Sequence, residues 1–280
     1  MDATRIHLPG GLVFAGSLVS WVDLGPLTGH VEEALCDWLQ GMRPGPPGVD
    51  NVLNTAGLAL AGQAVDTRLP AALCVADRQW LLLSLLRQID ARPWLNVRCP
   101  ECGAPFDLQV LLDDWPCSAA GAGFPLAQTT LGEQAVCLRV PTGADQAAIA
   151  SLPPLPAALV LLNACVVSVG GSPPLPEWLP GLSEADLKQL DAALDAVAPQ
   201  LASEIRSTCP ECGQAVGVQL QPHTLLPLRL EPLLDEVCRL AAYNHWRERE
   251  ILDLPRARRQ LYLARVQHLQ AQDRGWARPE

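Results

Sequence analysis

The chain lacks any apolar run of the roughly 18–20 residues that a bilayer-crossing helix needs. The longest candidate, residues 157–169 (AALVLLNACVVSV), is shorter and is interrupted by Asn163, so it reads as buried core. The opening residues, MDATRIHLPGGLVFAGSLVSWV, lack the net positive leader of a secretion signal. Asp2 offsets Arg5, and Ser and Gly break the apolar stretch. They read as a pair of strands, and the expected compartment is a reducing cytoplasm. The short motifs of common chemistries are also missing: there is no G-x-S-x-G, no H-E-x-x-H, no Walker loop and no dinucleotide fingerprint. Pro9-Gly10-Gly11 is a lone turn rather than a phosphate loop. His7, His30, His245 and His268 stand apart from one another. His245 follows Cys238 by seven residues, which can put both on one side of a helix, where core packing is the plainer reading than a Cys–His nucleophile. Asp113-Asp114 reads as a solvated turn rather than an acid/base pair. Nothing in the motif inventory predicts an enzyme.

What the chain does have is apolar content sufficient for a core. Of its 280 residues 49% are hydrophobic, and its 26 Pro and 21 Gly fall below the level of disordered segments, about a quarter or more. The length suggests about two domains. Charge is unevenly spread. Residues 1–238 hold 11 Lys/Arg against 25 Asp/Glu, a net −14, whereas residues 239–280 hold 9 Arg against 5 Asp/Glu, a net +4. A nucleic-acid-coating protein needs a concentrated positive surface, and an acidic body argues against one. The basic tail is a solvated helix face or a dock for an acidic partner surface. Eight tryptophans are many beside three Phe and two Tyr. Trp38, Trp80 and Trp246 fall in helical patterns and suit a core, while Trp94, Trp178 and Trp276 lie near Pro, Gly or loops and suit partner contacts.

Two halves echo each other. LTGHVEEAL (27–35) precedes PTGADQAAI (141–149) by 114 residues, ADRQWLLLSLL (76–86) precedes ADLKQLDAALD (185–195) by 109, and Cys99 precedes Cys209 by 110. Three echoes in one order at nearly one offset indicate a divergent duplication. Each half is expected to run from a β segment ending at Thr-Gly into a helix, a Pro-rich loop (43–48 or 172–181), a second helix and a hairpin. Val31, Leu35 and Trp38 share one face of the first helix, with Thr28 placed to cap it. Leu82, Leu85, Leu86 and Ile89 line the second. Its counterpart opens at Ser183 with Asp186 three residues on, followed by Leu187, Leu190, Leu194 and Val197. Residues 113–126, rich in small side chains, suit a seam. A helix over 231–246 then carries Leu233, Leu234, Val237, Leu240 and Ala241 on one stripe, and another begins after Pro255. The expected class is therefore α+β: two divergent repeats of helices plus a knuckle hairpin, with a C-terminal helical extension. The boundaries are 1–116, a linker over 117–126, 127–222 and 223–280.

Ten cysteines divide into six scattered ones (Cys36, Cys74, Cys117, Cys137, Cys165, Cys238), read as buried free thiols, and four in two copies of CPECG. In C-P-x-C-G two thiolates at i and i+3 enter one turn, Pro stiffens it, and Gly supplies the positive φ that such turns need. Val97, Phe106, Leu108 and Val110 around the first copy fit a hairpin whose tip carries the sulfurs. Each knuckle offers two ligands, but structural zinc takes four in a tetrahedron. Cys99, Cys102, Cys209 and Cys212 together make that set, with one shared structural zinc joining the halves. A redox C-x-x-C normally opens a helix, whereas strand-like residues follow here. His223 is a conceivable substitute ligand that reads better as a surface residue.

The segment EVCRLAAYNHWREREILDLPRARRQLYL (236–263) resembles the C-terminal signature of the baseplate hub assembly chaperones of contractile phage tails, the T-even type, which also occur with phage-tail-like contractile injection systems. That pattern, E-x-x-x-L-A-x-x-Y-H-W-x-E-x-E-I-L-x-L-P-x-x-R-R-x-x-Y-L, is met here by Glu236, Leu240, Ala241, His245, Trp246, Glu248, Glu250, Ile251, Leu252, Leu254, Pro255, Arg258, Arg259, Tyr262 and Leu263. The family's Tyr-His pair is Asn244-His245, with Tyr243 one place early. LTGHVEEAL, DRQWLLLSLLR and CPECG are similar too. The resemblance implies a non-enzymatic assembly role with baseplate or hub and spike proteins as partners, and no nucleic acid, membrane or small-molecule substrate. The expected contacts are Arg256, Arg258, Arg259 and Arg265 on the last helix, Trp246 before it, and the Pro-rich loops. A permanent baseplate component, a zinc-ribbon interaction module and a thiol oxidoreductase are the rival readings.

Overall fold

A computed structural model describes residues 3–42, 44–60, 63–64, 67–220, 225 and 228–276. Its first strands, β1 (Thr4–Phe14) and β2 (Ser17–Leu24), run antiparallel around Ala15-Gly16, both with positive φ (50° and 79°). Such a turn matches the strands' own twist. Ile6, Leu8, Val22 and Leu24 enter the core from this hairpin. Next come α1 (Gly29–Leu39) and α2 (Gly45–Thr55), then β3 (Ala59–Leu60) and β4 (Gln63–Ala64), which extend the sheet in the order β1-β2-β3-β4. α3 (Leu69–Ala72) and α4 (Val75–Leu86) lead to a two-stranded hairpin, β5 (Trp94–Arg98) and β6 (Pro105–Gln109). The apolar stripes predicted for α1 and α4 hold, with Val31, Leu35, Leu82, Leu85 and Leu86 buried, whereas Leu234, predicted on the stripe of the 231–246 helix, is exposed. Thr28 stands at the cap position of α1, although its side chain makes no capping bond.

The second half repeats this order of elements. After β7 (Cys117–Ser118), β8 (Leu126–Leu131) and β9 (Gln134–Arg139) form the hairpin, followed by α5 (Gly143–Ile149) and α6 (Pro154–Cys165). β10 (Val166–Val169) then pairs with β9, as β3 pairs with β2. α7 (Glu184–Val197) carries the predicted capping box, with Ser183 and Asp186 each bonded to the other's backbone N–H. β11 (Gln200–Leu201) pairs with β7, and the hairpin β12 (Glu204–Thr208) and β13 (Ala215–Gln219) ends the half. The C-terminal extension is α8 (Leu230–Asn244), α9 (Glu248–Leu252) and α10 (Arg256–Trp276). The fold is α+β with small antiparallel sheets. Among the described residues no helix is long and apolar enough to cross a membrane.

Two expectations change. Residues 157–169 are core only at their C-terminal end: Cys165 and Val166 are buried and Leu162 and Val169 pack beside them, whereas Leu159 and Val160 face solvent, as does Leu155 earlier in α6. An unbroken apolar run looks the same in sequence whether its helix is enclosed or uncovered. Residues 117–126, read as a linker, are tied on both sides. β7 pairs with β11, the Ala120 N–H donates to the Pro9 carbonyl (2.8 Å), and the Gly121 N–H donates to the Val197 carbonyl (3.0 Å). The Trp115 indole adds a bond to the Ala202 carbonyl across the halves (3.1 Å). Pro9-Gly10-Gly11, read as a lone turn, lies instead within β1 at its register shift, where it meets a carboxyl group of the chain's own. The N–H groups of Gly10 and Gly11 both donate to the buried Asp77 carboxylate at 2.8 Å.

The two Thr-Gly sites are docking notches. The Gly143 N–H donates to the Leu73 carbonyl (3.0 Å), so Thr142 bridges Cys74 just ahead of α4. Likewise the Arg256 N–H donates to the Leu27 carbonyl (2.7 Å), so Thr28 bridges Pro255 just ahead of α10. A Cβ on Gly143 would run into the Arg78 guanidinium, and one on Gly29 would lie 2.6 Å from a Leu252 methyl. Buried Arg78 pairs with Asp50 and donates to the Pro70 (2.7 Å) and Pro46 (2.8 Å) carbonyls.

The C-terminal helices have a small core of their own, built on Leu233, Val237, Leu240, Ile251, Leu252, Leu263 and Val266. An ion-pair network locks them to the first half. Arg259, with no exposed surface, lies between Glu32 of α1 (2.6 Å) and Glu236 of α8 (2.7 Å), and Arg256 also reaches Glu32 (2.9 Å). Burial opposes the Arg259 charge, but the two carboxylates outweigh it and hold its pKa raised. A buried pair broken on one side leaves an uncompensated charge, costing about 3–5 kcal/mol. Arg259→Ala should lower denaturant stability by about that amount and expose α9 and α10 to protease, with Arg259→Lys restoring little because two carboxylates share one planar fork. A loss below about 1 kcal/mol, the range of surface pairs, would deny the network this role.

Candidate metal centre

Both CPECG turns sit at hairpin tips, and the hairpins face each other. The arms alternate exposed and half-buried positions, as a two-residue period requires. Val97, Phe106 and Val218 pack with buried Val216 beneath the sulfurs. The turns are near copies. The Cys99 N–H donates to the Ala104 carbonyl (3.0 Å) and the Gly103 N–H to the Cys99 carbonyl (3.0 Å), matched by Cys209 to Gln214 (2.9 Å) and Gly213 to Cys209 (3.0 Å). Gly103 and Gly213 have φ of 73° and 74°, left-handed values that a Cβ would strain.

The four sulfurs lie within 4.8 Å of one another, so one metal ion could touch them all. Sγ of Cys99 is 3.7 Å from that of Cys212, and Sγ of Cys102 is 3.7 Å from that of Cys209. Each short pair crosses between the halves. These separations far exceed the ~2.05 Å of a disulfide. In each knuckle the first cysteine is buried and the second exposed, an approximate two-fold arrangement.

Without a cation the four thiols cannot all ionise. Backbone N–H groups of Cys102 and Glu101, with bonds from neighbouring sulfurs, draw Cys99 down to about 7 against the opposing effect of burial. Cys212 has the help of the Gln214 N–H, yet burial and the other three sulfurs push it up to about 12. One thiolate suppresses the next. A soft divalent ion removes that repulsion, and thiolate sulfur is the donor such ions prefer.

The other expected site residues are dispersed. Arg258 and Arg265 are exposed on α10, Arg258 over the Tyr262 ring (5.7 Å), and Arg256 is partly buried on Glu32. Arg259 corrects the expectation of a partner contact, because a fully buried arginine spent on Glu32 and Glu236 has no face for a partner. Trp246 packs edge-on against Tyr262 at 4.9 Å. His223 lies outside the described residues. Of the six scattered cysteines, Cys36, Cys74 and Cys165 are buried as expected. Burial raises all three, Cys36 and Cys165 to about 11, so they are inert. Cys117 and Cys238 are exposed and Cys137 half-exposed, against expectation. Cys137 falls on the outward phase of β9, and both residues of the short β7 that carries Cys117 are exposed. Glu32 and Glu236 escaped the sequence reading as functional partners, although both stand in the quoted motifs.

Compared with protein-family models, curated proteins and solved structures, the chain matches none.

Metal analysis of the purified chain should find one ion per molecule, with Cys99→Ser and Cys209→Ser losing it to the same extent. Full retention by either variant would separate the two knuckles into independent sites.

Proposed function

We propose that this chain is a non-enzymatic assembly factor, a chaperone for the baseplate or hub of a contractile phage-tail-like particle, held in shape by one structural zinc on Cys99, Cys102, Cys209 and Cys212. The resemblance of residues 236–263 to the hub assembly chaperones carries the reading of the class. The sulfur cluster supports the metal. Zn–S bonds of about 2.3 Å place the sulfurs of a tetrahedron about 3.8 Å apart, close to the two crossing pairs at 3.7 Å. Four thiolates fill zinc's coordination and leave no position for a reactive water. The metal's work would be structural. Such sites contribute on the order of 10 kcal/mol or more in small peptides, comparable with the ~5–15 kcal/mol net stability of a domain. The acidic body speaks for a protein partner over nucleic acid, and assembly of such particles takes place in the cytoplasm where free thiols persist.

Deleting the gene from a strain that builds such a particle tests the reading. The expected result is particles stalled without a complete baseplate, with the chain absent from mature particles of the parent strain. Its presence there in fixed stoichiometry would make it a permanent component instead, and normal particles from the deletion strain would remove the assembly role.

A further inference from the structure

The second half leaves an apolar face uncovered. No charged residue occurs from 146 to 176, a stretch that includes all of α6. Leu155 is 74% exposed, Leu159 42%, Val160 45% and Leu175 65%. Several large apolar side chains exposed along one uncharged stretch are the kind of surface that serves as an interaction site. The corresponding helix of the first half is covered: α2 buries Val49, Val52 and Leu53 and packs against α1, α3, α4 and α5. The same position in the repeat is thus closed by helices in one half and open in the other.

Beside α6 runs a groove of about 480 Å³, with Leu155, Leu159 and Leu162 on one wall and Leu187 and Leu194 of α7 on the other. Its far rim is a stripe of α7 at helical spacing, Glu184, Lys188, Asp191 and Asp195. Lys188 is held by Glu184 at 2.6 Å. Asp191 and Asp195 have no ion pair among the described residues, so the rim carries two uncompensated negative charges. α7 has 14 residues, about 21 Å of wall at 1.5 Å per residue, room for a helix of three to four turns.

We propose that the α6–α7 groove is the docking site for an amphipathic helix of a partner protein, with Leu-, Ile- or Met-type side chains on its buried face and Lys or Arg along the flank that meets Asp191 and Asp195. The inference rests on the reading of the chain as a binding protein. Helix-in-groove recognition uses apolar anchors for affinity and the rim charges for choice of partner. The chain's own last helix has the charge but not the apolar face. On α10, Leu261 is the one large apolar side chain strongly exposed among the described residues.

The test titrates the full chain, by fluorescence anisotropy, with two labelled helical peptides that share a leucine face and differ only in flanking Lys or Glu. The Lys peptide should bind on the order of tenfold more tightly than the Glu peptide, the size of one strong charge contact. Leu155→Asp, an exposed substitution that spares the fold, should abolish binding of both. Replacing Asp191→Lys and Asp195→Lys together should reverse the preference. Equal affinity for the two peptides, no binding of either, or indifference to these variants would overturn the proposal. So would a self-associated chain that Leu155→Asp converts to monomer, since a second copy would then be the occupant. Peptide binding is read without any particle. Failure here beside stalled particles in the deletion strain would sink the groove alone, and binding here beside normal particles would sink the assembly reading alone.

Discussion

Each knuckle hairpin brings only two sulfurs, half of what a four-coordinate metal site would need, and this incompleteness constrains how the two halves can meet. Two sulfurs at a β-turn cannot enclose an ion that wants four, so the cluster exists only if hairpins separated by more than 100 residues meet face to face. The short sulfur contacts, Cys99 to Cys212 and Cys102 to Cys209, both cross between the halves. Once the tips are joined, the β5–β6 and β12–β13 arms stack through Val97, Phe106, Val216 and Val218. The relative placement of the two repeats then follows. β7 reaches β11, Trp115 reaches the Ala202 carbonyl, and α5 comes to lie on α2 and α3.

Duplication also explains how the chain continues beyond the knuckles. The Thr-Gly notch of the second half receives the start of α4, and the Thr-Gly notch of the first half receives the start of α10. In both cases a buried arginine in the first turns of the incoming helix finds carboxylates, Arg78 on Asp50 and Arg259 on Glu32 and Glu236. One structural device is used twice, once between repeats and once to fasten the extension. The basic tail and acidic body inferred from composition therefore meet within the molecule, at least at Arg256 and Arg259, before any partner is considered. The residues that carry the family resemblance, Glu236 and Arg259 among them, act here in internal packing.

Much of this was legible beforehand, for identifiable reasons. The CPECG pairs specify donor type, spacing and turn chemistry in five letters, and the nearly constant offset of the repeats predicted that the pairs would meet. The β-forming residues on either side of CPECG, such as Val97 and Phe106, pointed to the hairpins, and Ser183 with Asp186 to the start of α7. What was hidden depends on neighbours. Nothing in AALVLLNACVVSV distinguishes an enclosed helix from an uncovered one, because hydrophobicity records a preference for burial and not the presence of a cover. Arg259 looked like surface charge because its two carboxylates come from 23 and 227 residues away. Residues 117–126 looked like a linker because small residues suit both free chain and close backbone packing. The Gly121 position shows the second use, its Cβ site blocked by the Ala196 backbone.

The most direct test of the central claim is X-ray absorption at the edge of the bound metal in the purified chain. A single shell of four sulfurs at about 2.3 Å, unchanged when unrelated thiols such as Cys117 and Cys238 are replaced, is the result expected of one zinc shared by both knuckles. A shell containing nitrogen or oxygen donors, or fewer than four sulfurs, would mean that the two halves do not close on one ion.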